Sequence, residues 1–264
     1  MLGFIGTGNM ASAIIKGVVS SSFLPGEKIA VYDKDTEKAK KLSEAYALKL
    51  CSDEREIAEI CDKIILSVKP DVIESVISET ADILEKKNPL IISIAAGKST
   101  QFISSLLGYE GRVIRVMPNI NAVVLEAVSA YCTNENATKE DTEFAEGLLN
   151  SFGKAVLIPE SKFSAFSAIG GCAPAFSYMY IDALARAGVQ NGLSKEIALE
   201  VAAQTVLGSA KMIIESKEHP YELVDRVCSP GGTTIEGVQS LKKDGFEGAV
   251  ANEVEASVNK DKPM

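Results

Sequence analysis

Short apolar runs alternate with amphipathic stretches along the first part of the chain. The apolar runs cover 2–5, 28–33, 63–70, 89–97, 112–119, 127–132 and 154–158. Between them, helix-spaced apolar positions occupy 10–18, 35–47, 54–61, 72–84, 100–107 and 139–152. This alternation predicts an α/β fold with a doubly wound parallel sheet, whose ligands bind beyond the carboxyl ends of the strands.

The turn after the first apolar run has small residues at the spacing of a dinucleotide site. Gly6 suits a tight turn, Gly8 lets the backbone approach a pyrophosphate, and Ala11 lets the helix pack closely on the strand. The helix start then offers free N–H groups to phosphates. Asp33 ends the second strand, near where this motif expects an acid for the adenosine ribose. We therefore predict a dinucleotide-binding Rossmann domain over residues 1–160, rather than a plain strand-turn-helix unit.

Three later strands end in small, cyclic or polar residues. These ends are Val68-Lys69-Pro70, Ala95-Ala96-Gly97 and Met117-Pro118-Asn119. Any one of them is compatible with ordinary turn chemistry. Three at the ligand edge of one sheet favour a cofactor groove.

Beyond residue 160 the alternation stops. Helical patterns cover 174–187, 195–216, 221–227, 234–243 and 246–258, divided by glycines and prolines. They predict an all-α second domain over residues 161–264. The helix around 197–214 is apolar on more than one face, and such apolar surface must be buried against another part of the protein or another subunit. We predict an intertwined homodimer formed by this domain and completing the ligand site, and the sequence leaves a larger oligomer open.

Composition narrows the class of protein. The net charge of −9 and the absence of a Lys/Arg block argue against a nucleic-acid partner. The longest apolar runs are strand-sized, and the N-terminus lacks a signal-peptide pattern, so we expect a soluble, cytoplasmic protein with no membrane segment. Five scattered cysteines without Cys-x-x-Cys spacing predict neither a metal site nor disulfides. His219, the one histidine, precedes a proline and is expected at an exposed helix start.

A second unusual stretch lies in the helical part, at Cys228-Ser-Pro-Gly-Gly-Thr-Thr-Ile235. The proline and the glycines predict a turn, and Thr233 or Thr234 could cap the helix that follows. N–H groups of Gly232, Thr233 and Thr234 would then hold a carboxylate. A simple helix cap is the alternative.

The sequence resembles the pyrroline-5-carboxylate reductases. The matching segments are 3–11, 68–70, 93–97, 115–119, 174–176, 208–212, 219–220 and 228–235, and they run in order along nearly the whole chain. The run 229–235 is the most specific of them, whereas many dehydrogenases share the opening glycine motif. The resemblance implies reduction of Δ1-pyrroline-5-carboxylate to L-proline, the last step of proline biosynthesis, with hydride from NADPH or NADH.

The resemblance and the strand ends together predict the site residues. For the cofactor they are Gly6, Thr7, Gly8, Asn9, Met10, Ala11, Asp33, Lys34, Val68, Lys69, Pro70, Ala95, Ala96, Gly97 and Asn119. For the substrate carboxylate they are Ser229, Gly231, Gly232, Thr233 and Thr234. Thr234 is implied to lie near the ring nitrogen, and we take it as the catalytic residue.

The chemistry needs few groups. A cyclic imine protonated on nitrogen already accepts hydride, so the protein mainly aligns the nicotinamide with the ring carbon and fixes the carboxylate. The Thr234 hydroxyl or a bound water would orient the imine proton. Asp33 would accept hydrogen bonds from ribose hydroxyls and repel a 2′-phosphate, which favours NADH, although the family leans towards NADPH and Lys34 lies beside Asp33.

One local feature departs from the family. The chain has Gly170-Gly171-Cys172-Ala173 where the family usually places Ser-Gly-Ser before its Pro-Ala-aromatic run, so two hydroxyls are missing. Two other interpretations stay open. A hydroxyacid dehydrogenase of the 3-hydroxyisobutyrate type would need a lysine on the first long helix of the second domain, and 174–187 has none. A nucleotide-sensing or scaffold protein without turnover is the other.

Overall fold

The computed structural model describes residues 1–261, which form two compact units. The first runs from Met1 to Gly171 and the second starts at Cys172.

The first unit is built on an eight-stranded sheet. Its strands are β1 (Leu2–Ile5), β2 (Ile29–Tyr32), β3 (Lys49–Leu50), β4 (Lys63–Leu66), β5 (Leu90–Ser93), β6 (Val113–Met117), β7 (Ala127–Thr133) and β8 (Gly153–Leu157). Their order is β3-β2-β1-β4-β5-β6-β7-β8. The strand order reverses between β1 and β4, and in open α/β sheets ligands bind in the crevice at such a switch point.

Helices cover both faces of this sheet. They are α1 (Asn9–Ser20), α2 (Thr36–Tyr46), α3 (Glu54–Ile60), α4 (Ile73–Lys87), α5 (Thr100–Leu107) and α6 (Lys139–Asn150). Side chains of α1, α2 and α6 pack into one apolar cluster, and those of α3, α4 and α5 pack into another. The central strands are buried along their whole length, as their unbroken apolar runs predict. The predicted doubly wound fold is confirmed.

Two strands run opposite to the other strands of the sheet. β7 pairs antiparallel with β6, with Arg115 opposite Cys132, and β8 then pairs parallel with β7. A parallel return needs a crossover of a dozen or more residues, usually a helix. Between β6 and β7 the chain has only a short 3-10 turn over Ile120–Val124. Strands β7 and β8 therefore run opposite to β1–β6, a direction that the sequence pattern does not specify.

The segment after β8 packs on the first unit. It contains the short helix α7 (Phe163–Phe166) and a wide π-helical turn over Ser167–Cys172. Phe163 is buried against Ala130 and Cys132 of β7. The compact units accordingly separate after Gly171, eleven residues later than the boundary predicted from the end of the strand pattern.

The second unit is helical throughout the residues described. Its helices are α8 (Ala173–Gln190), α9 (Lys195–Ser216), α10 (Pro220–Val227), α11 (Thr233–Lys243) and α12 (Phe246–Asp261). Helices α8 and α9 pack through small residues, with Ala185, Ala198 and Ala202 buried together. Many large apolar side chains on both helices stay exposed, among them Met179, Leu207 and Ile214. The predicted all-α second domain is confirmed.

Candidate functional site

The glycine turn after β1 has the geometry that a nucleotide site needs. Gly6 has φ +98°, and a Cβ there would lie 2.7 Å from the carbonyl oxygen of Ser67, so no other residue fits this turn without strain. Its N–H donates to the carbonyl of Tyr32 at 2.8 Å, which ties the turn to β2. Ala11, in the first turn of α1, is almost fully buried against the sheet. Both residues have the structural roles predicted for them.

Gly8 differs from Gly6 because the fold does not require a glycine there. It occupies the N-cap of α1 with φ −61°, a value open to any residue. A Cβ at this position would meet no atom of the described chain within 4 Å. The space in front of the first N–H groups of α1 is therefore clear of protein, and a helix start of this kind binds anions.

Asp33, at the end of β2, is tied to the glycine turn. Its Oδ2 accepts from the backbone N–H of Thr7 at 2.6 Å and from the Thr7 hydroxyl at 2.9 Å, and its Oδ1 accepts from the N–H of Asp35 at 2.9 Å. Burial disfavours the charged form, but these hydrogen bonds outweigh it and lower the pKa of Asp33. A carboxylate offers about four lone-pair positions, so roughly one remains for a ligand.

Two cavities open side by side at the carboxyl ends of the central strands. The first, of about 290 Å³, is lined among others by Gly8, Asp33, Lys34, Glu54 and Lys69. The second, of about 300 Å³, is lined by Met10 of α1, by Arg115 of β6 and by residues that follow β4 and β5, which include Pro70, Ala95, Ala96 and Gly97. Both cavities share Ser67 and Val68. They form one groove across the switch point.

The hydroxyl of Ser67 holds the two sides of this groove together. It donates to the carbonyl of Ile5 at 3.0 Å and to that of Gly6 at 2.7 Å. The end of β4 is thereby fixed to the glycine turn of β1. Ser67 has no place in the glycine motif, so sequence reasoning did not single it out.

Asn119, just after β6, has an unused buried acceptor. Its Nδ2 donates to the carbonyl of Gly170 at 2.9 Å, while its Oδ1 is buried and has no partner among the residues described. Gly170 lies in the π-helical turn, where a Cβ would clash with the ring of Phe166 at 2.8 Å. Close packing against Phe166 therefore explains the glycine at position 170, within the 170–173 segment that differs from the family pattern.

Arg115 and Glu160 form an ion pair beside the second cavity. Arg115 Nη1 lies 3.0 Å from Glu160 Oε1, and its guanidinium stacks on the ring of Phe163. Glu160 also accepts from the N–H and the hydroxyl of Thr100, at 2.8 and 2.9 Å. Burial opposes the charge, but these hydrogen bonds and Arg115 together lower the pKa of Glu160. The network joins the start of α5, the strand β6 and the segment after β8.

In the helical unit, the turn before α11 forms a compact loop. The N-cap of α11 is Gly232, so the prediction that Thr233 or Thr234 caps the helix was wrong; they are its first two residues. Gly232 N–H donates to the carbonyl of Ser229 at 3.0 Å and so is not free, contrary to the prediction. Gly231 has φ +68°, and a Cβ on Gly232 would lie 2.3 Å from Ser229 Oγ. Helix geometry leaves the N–H groups of Thr233 and Thr234 open to a ligand.

The structure groups most, though not all, of the predicted cofactor residues. Eleven of the predicted positions line the two cavities: Gly6, Gly8, Met10, Asp33, Lys34, Val68, Lys69, Pro70, Ala95, Ala96 and Gly97. Thr7 and Ala11 are buried behind the turn, Asn9 is exposed beside a separate cavity, and Asn119 is buried next to Gly170. Among these positions, cofactor contact stays a prediction.

Reactive side chains of other kinds are poorly placed for catalysis. Burial raises the pKa of Cys51 and of Cys132 to about 12 and that of Cys61 to about 11, so these thiols stay protonated. His219 is exposed and caps α10 through its Nδ1, as predicted. Within residues 1–261, no group of three His, Cys, Asp or Glu side chains is arranged to hold a metal ion.

Comparison with known proteins then decides the family. Residues 160–264 match the family model "Pyrroline-5-carboxylate reductase dimerisation", and residues 1–97 match "NADP oxidoreductase coenzyme F420-dependent". The pyrroline-5-carboxylate reductase of Escherichia coli is 40% identical over 250 residues, which is 94% of this chain and 92% of that protein. This chain belongs to the pyrroline-5-carboxylate reductase family.

Solved reductase structures have the same fold. The pyrroline-5-carboxylate reductase of Coxiella burnetii gives a TM-score of 0.94 at 32% identity, covering 98% of this chain and 96% of that one. The pyrroline carboxylate reductase of Plasmodium falciparum, with NADP bound, gives 0.85 at 35% identity, covering 99% and 96%. The likeness extends over both units of the chain.

Membership of this reductase family also accounts for the exposed apolar helices. Within the described chain, α9 is the one helix long and apolar enough to cross a membrane, and 11% of its most apolar window is buried. Core helices of soluble proteins pass the same test. α9 lies inside the region that matches the dimerisation model, residues 160–264.

Proposed function

We propose that this chain reduces Δ1-pyrroline-5-carboxylate to L-proline with NADH or NADPH. The observation that carries the proposal is Gly8, a glycine that neither backbone conformation nor packing requires, at the helix start of a pyrroline-5-carboxylate reductase family member. A side chain there would fill the space that a pyrophosphate needs.

The shape of the groove also fits a nicotinamide dinucleotide. Its two cavities follow one another across the switch point, as the two nucleotide halves of the cofactor would. In this proposal the N–H groups of α1 hold the phosphates, and the ends of β4 and β5 hold the nicotinamide half. The cofactor would supply the hydride.

The start of α11 is the proposed carboxylate site. The N–H groups of Thr233 and Thr234 point along the helix axis towards its N-terminus, where the helix dipole favours an anion. The tight turn of Gly231 and Gly232 keeps Ser229 Oγ next to the same helix start. The hydroxyl of Thr234, at the second position of this helix, can accept a hydrogen bond from the N–H of a protonated imine.

This set of residues suits the reaction because the substrate is already activated. A protonated cyclic imine needs alignment and a fixed carboxylate more than it needs a strong general base. Among residues 1–261, His219 caps a helix and the buried thiols stay protonated, so neither supplies a base. Alignment and hydrogen bonding by Thr234 are the protein's contribution in this proposal.

We further propose a cytoplasmic enzyme that acts as a homodimer, with no membrane or nucleic-acid partner. The acidic balance of charge supports the absence of a nucleic-acid role. Assembly of dimers into a larger oligomer follows neither from the charge nor from the exposed helix faces.

A substrate panel tests the function. With pyrroline-5-carboxylate as substrate, the oxidation of NADH and NADPH is followed by absorbance. With 3-hydroxyisobutyrate as substrate, the reduction of NAD⁺ and NADP⁺ is followed in the same way. We expect turnover with the imine alone. Turnover with the hydroxyacid alone would support the dehydrogenase interpretation, and nucleotide binding without any turnover would support a sensing or scaffold role.

A further inference from the structure

The first cavity of the groove contains a second carboxylate that the glycine motif does not anticipate. Glu54 is the first residue of α3, and its side chain lines the same cavity as Gly8, Asp33 and Tyr32. It is only 6% exposed, which is rare for a glutamate without a cationic partner. Along residues 1–261 none of the ion pairs involves Glu54, although its neighbours Arg55 and Glu56 each form one.

Glu54 is better placed than Asp33 to act on a ligand. The oxygens of Asp33 already accept three hydrogen bonds from Thr7 and Asp35. Glu54 instead faces the phenol of Tyr32: burial raises the pKa of Tyr32, and the charge of Glu54 and hydrogen bonding to it raise it further. The Glu54 carboxylate therefore keeps acceptor capacity for groups that enter the cavity.

The cavity position identifies which part of the cofactor meets this carboxylate. In a Rossmann domain the adenosine ribose lies at the end of β2, beside the acid that follows it. Tyr32 and Asp33 occupy that end here, and Glu54 shares their cavity. A ribose 2′-hydroxyl can donate to a carboxylate, whereas a 2′-phosphate carries nearly two negative charges and is repelled by it.

We propose that Glu54 is a specificity-determining residue that selects the unphosphorylated ribose of NADH and disfavours the 2′-phosphate of NADPH. The inference rests on the proposed placement of the dinucleotide in this groove. Lys34 and Lys69 also line the cavity, but both are exposed and solvated. Water and salt screen an exposed ammonium more than a buried carboxylate, so Glu54 outweighs them.

Equilibrium binding tests the proposal without turnover. The dissociation constants of NADH and NADPH are measured by nicotinamide fluorescence, and those of 5′-AMP and adenosine 2′,5′-bisphosphate by calorimetry. Glu54→Gln removes the charge and keeps the shape. We expect it to shift the NADPH:NADH and bisphosphate:AMP affinity ratios about tenfold towards the 2′-phosphate, the effect of one partly screened charge contact.

Glu59→Gln is the matched control because Glu59 lies on the same helix, is exposed and does not line the cavity. It changes the net charge equally and is expected to leave both ratios within about twofold of wild type. Equal ratios in wild type and folded Glu54→Gln would overturn the proposal.

These readouts separate this inference from the proposed function. A protein that shows the predicted nucleotide preference without reducing pyrroline-5-carboxylate would retain the role of Glu54 and lose the function. If the wild type reduces the imine and Glu54→Gln leaves the nucleotide preference unaltered, the proposed function is retained and the role of Glu54 is lost.

Discussion

Gly8→Ala separates what the fold needs from what the cofactor needs. The added methyl group meets no described atom within 4 Å, and φ −61° suits alanine. Alanine is a poorer N-cap than glycine by roughly 0.5 to 1 kcal/mol. Alanine also restricts the unfolded chain, which stabilises the folded state by about 0.4 to 1 kcal/mol. The free energy of unfolding should therefore change by less than about 1 kcal/mol.

The same methyl group lies where a pyrophosphate would approach the start of α1. Loss of close contact with the helix N–H groups should weaken NADH and NADPH binding roughly ten- to a hundredfold, which corresponds to about 1.4 to 2.8 kcal/mol. Gly6→Ala is the contrasting variant. Its φ of +98° and the 2.7 Å approach to the Ser67 carbonyl predict a loss of about 2 to 4 kcal/mol of stability.

Two measurements on each variant check this reasoning. Thermal unfolding without nucleotide should leave the Tm of Gly8→Ala within a few degrees of wild type, while Gly6→Ala falls by roughly 5 to 15 °C. Nucleotide binding is then titrated by fluorescence on the folded proteins. If Gly8→Ala bound NADH and NADPH as tightly as wild type, the phosphates would not lie at the start of α1.

Four further predictions follow from other parts of the molecule. Thr234→Ala should lower kcat roughly ten- to a thousandfold with NADH affinity intact, because one positioned polar group is lost; unchanged steady-state kinetics would leave the hydroxyl without a role. Asp33→Ser should shift the kcat/KM ratio about tenfold towards NADPH and, by removing the acceptor of Thr7, weaken both cofactors; an unaltered ratio would show that Asp33 acts only on the turn. Glu160→Gln should cost about 1 to 2 kcal/mol at neutral pH in urea titrations. Because the pKa of Glu160 is lowered by folding, its contribution is full above the unfolded value of about 4.3 and disappears as pH falls through the folded value; a pH-independent difference would refute this. Ile214→Glu, on a side chain 75% exposed in one chain, should yield monomers in sedimentation, and an intact dimer would place the interface elsewhere.

The sequence was sufficient for the architecture because its periodicity is strong. The helix predicted over 195–216 has the bounds of α9, and the one predicted over 100–107 has those of α5. The direction of β7 was not accessible from the same pattern, because an apolar strand is equally apolar in either direction. Only the short connection before it carries that information.

The site was less predictable than the fold. A glycine motif identifies the turn because few other residues fit Gly6, and the resemblance supplied the later strand ends. Glu54 carries no such signal: an acid in the first turn of a helix is usually a solvated, dipole-complementing residue, and burial beside Tyr32 depends on tertiary packing. The cap at Gly232 was missed because threonine is normally preferred there, whereas the close approach of Ser229 Oγ requires glycine.

Isotope transfer tests the central claim most directly. The protein is incubated with pyrroline-5-carboxylate and NADH carrying deuterium at the transferable C4 position of the nicotinamide, and the product is analysed by mass spectrometry. Because hydride from the nicotinamide adds to the imine carbon, we predict L-proline with a single deuterium at ring carbon 5. Formation of unlabelled proline from both C4-deuterated epimers of NADH, or oxidation of NADH without proline, would contradict it.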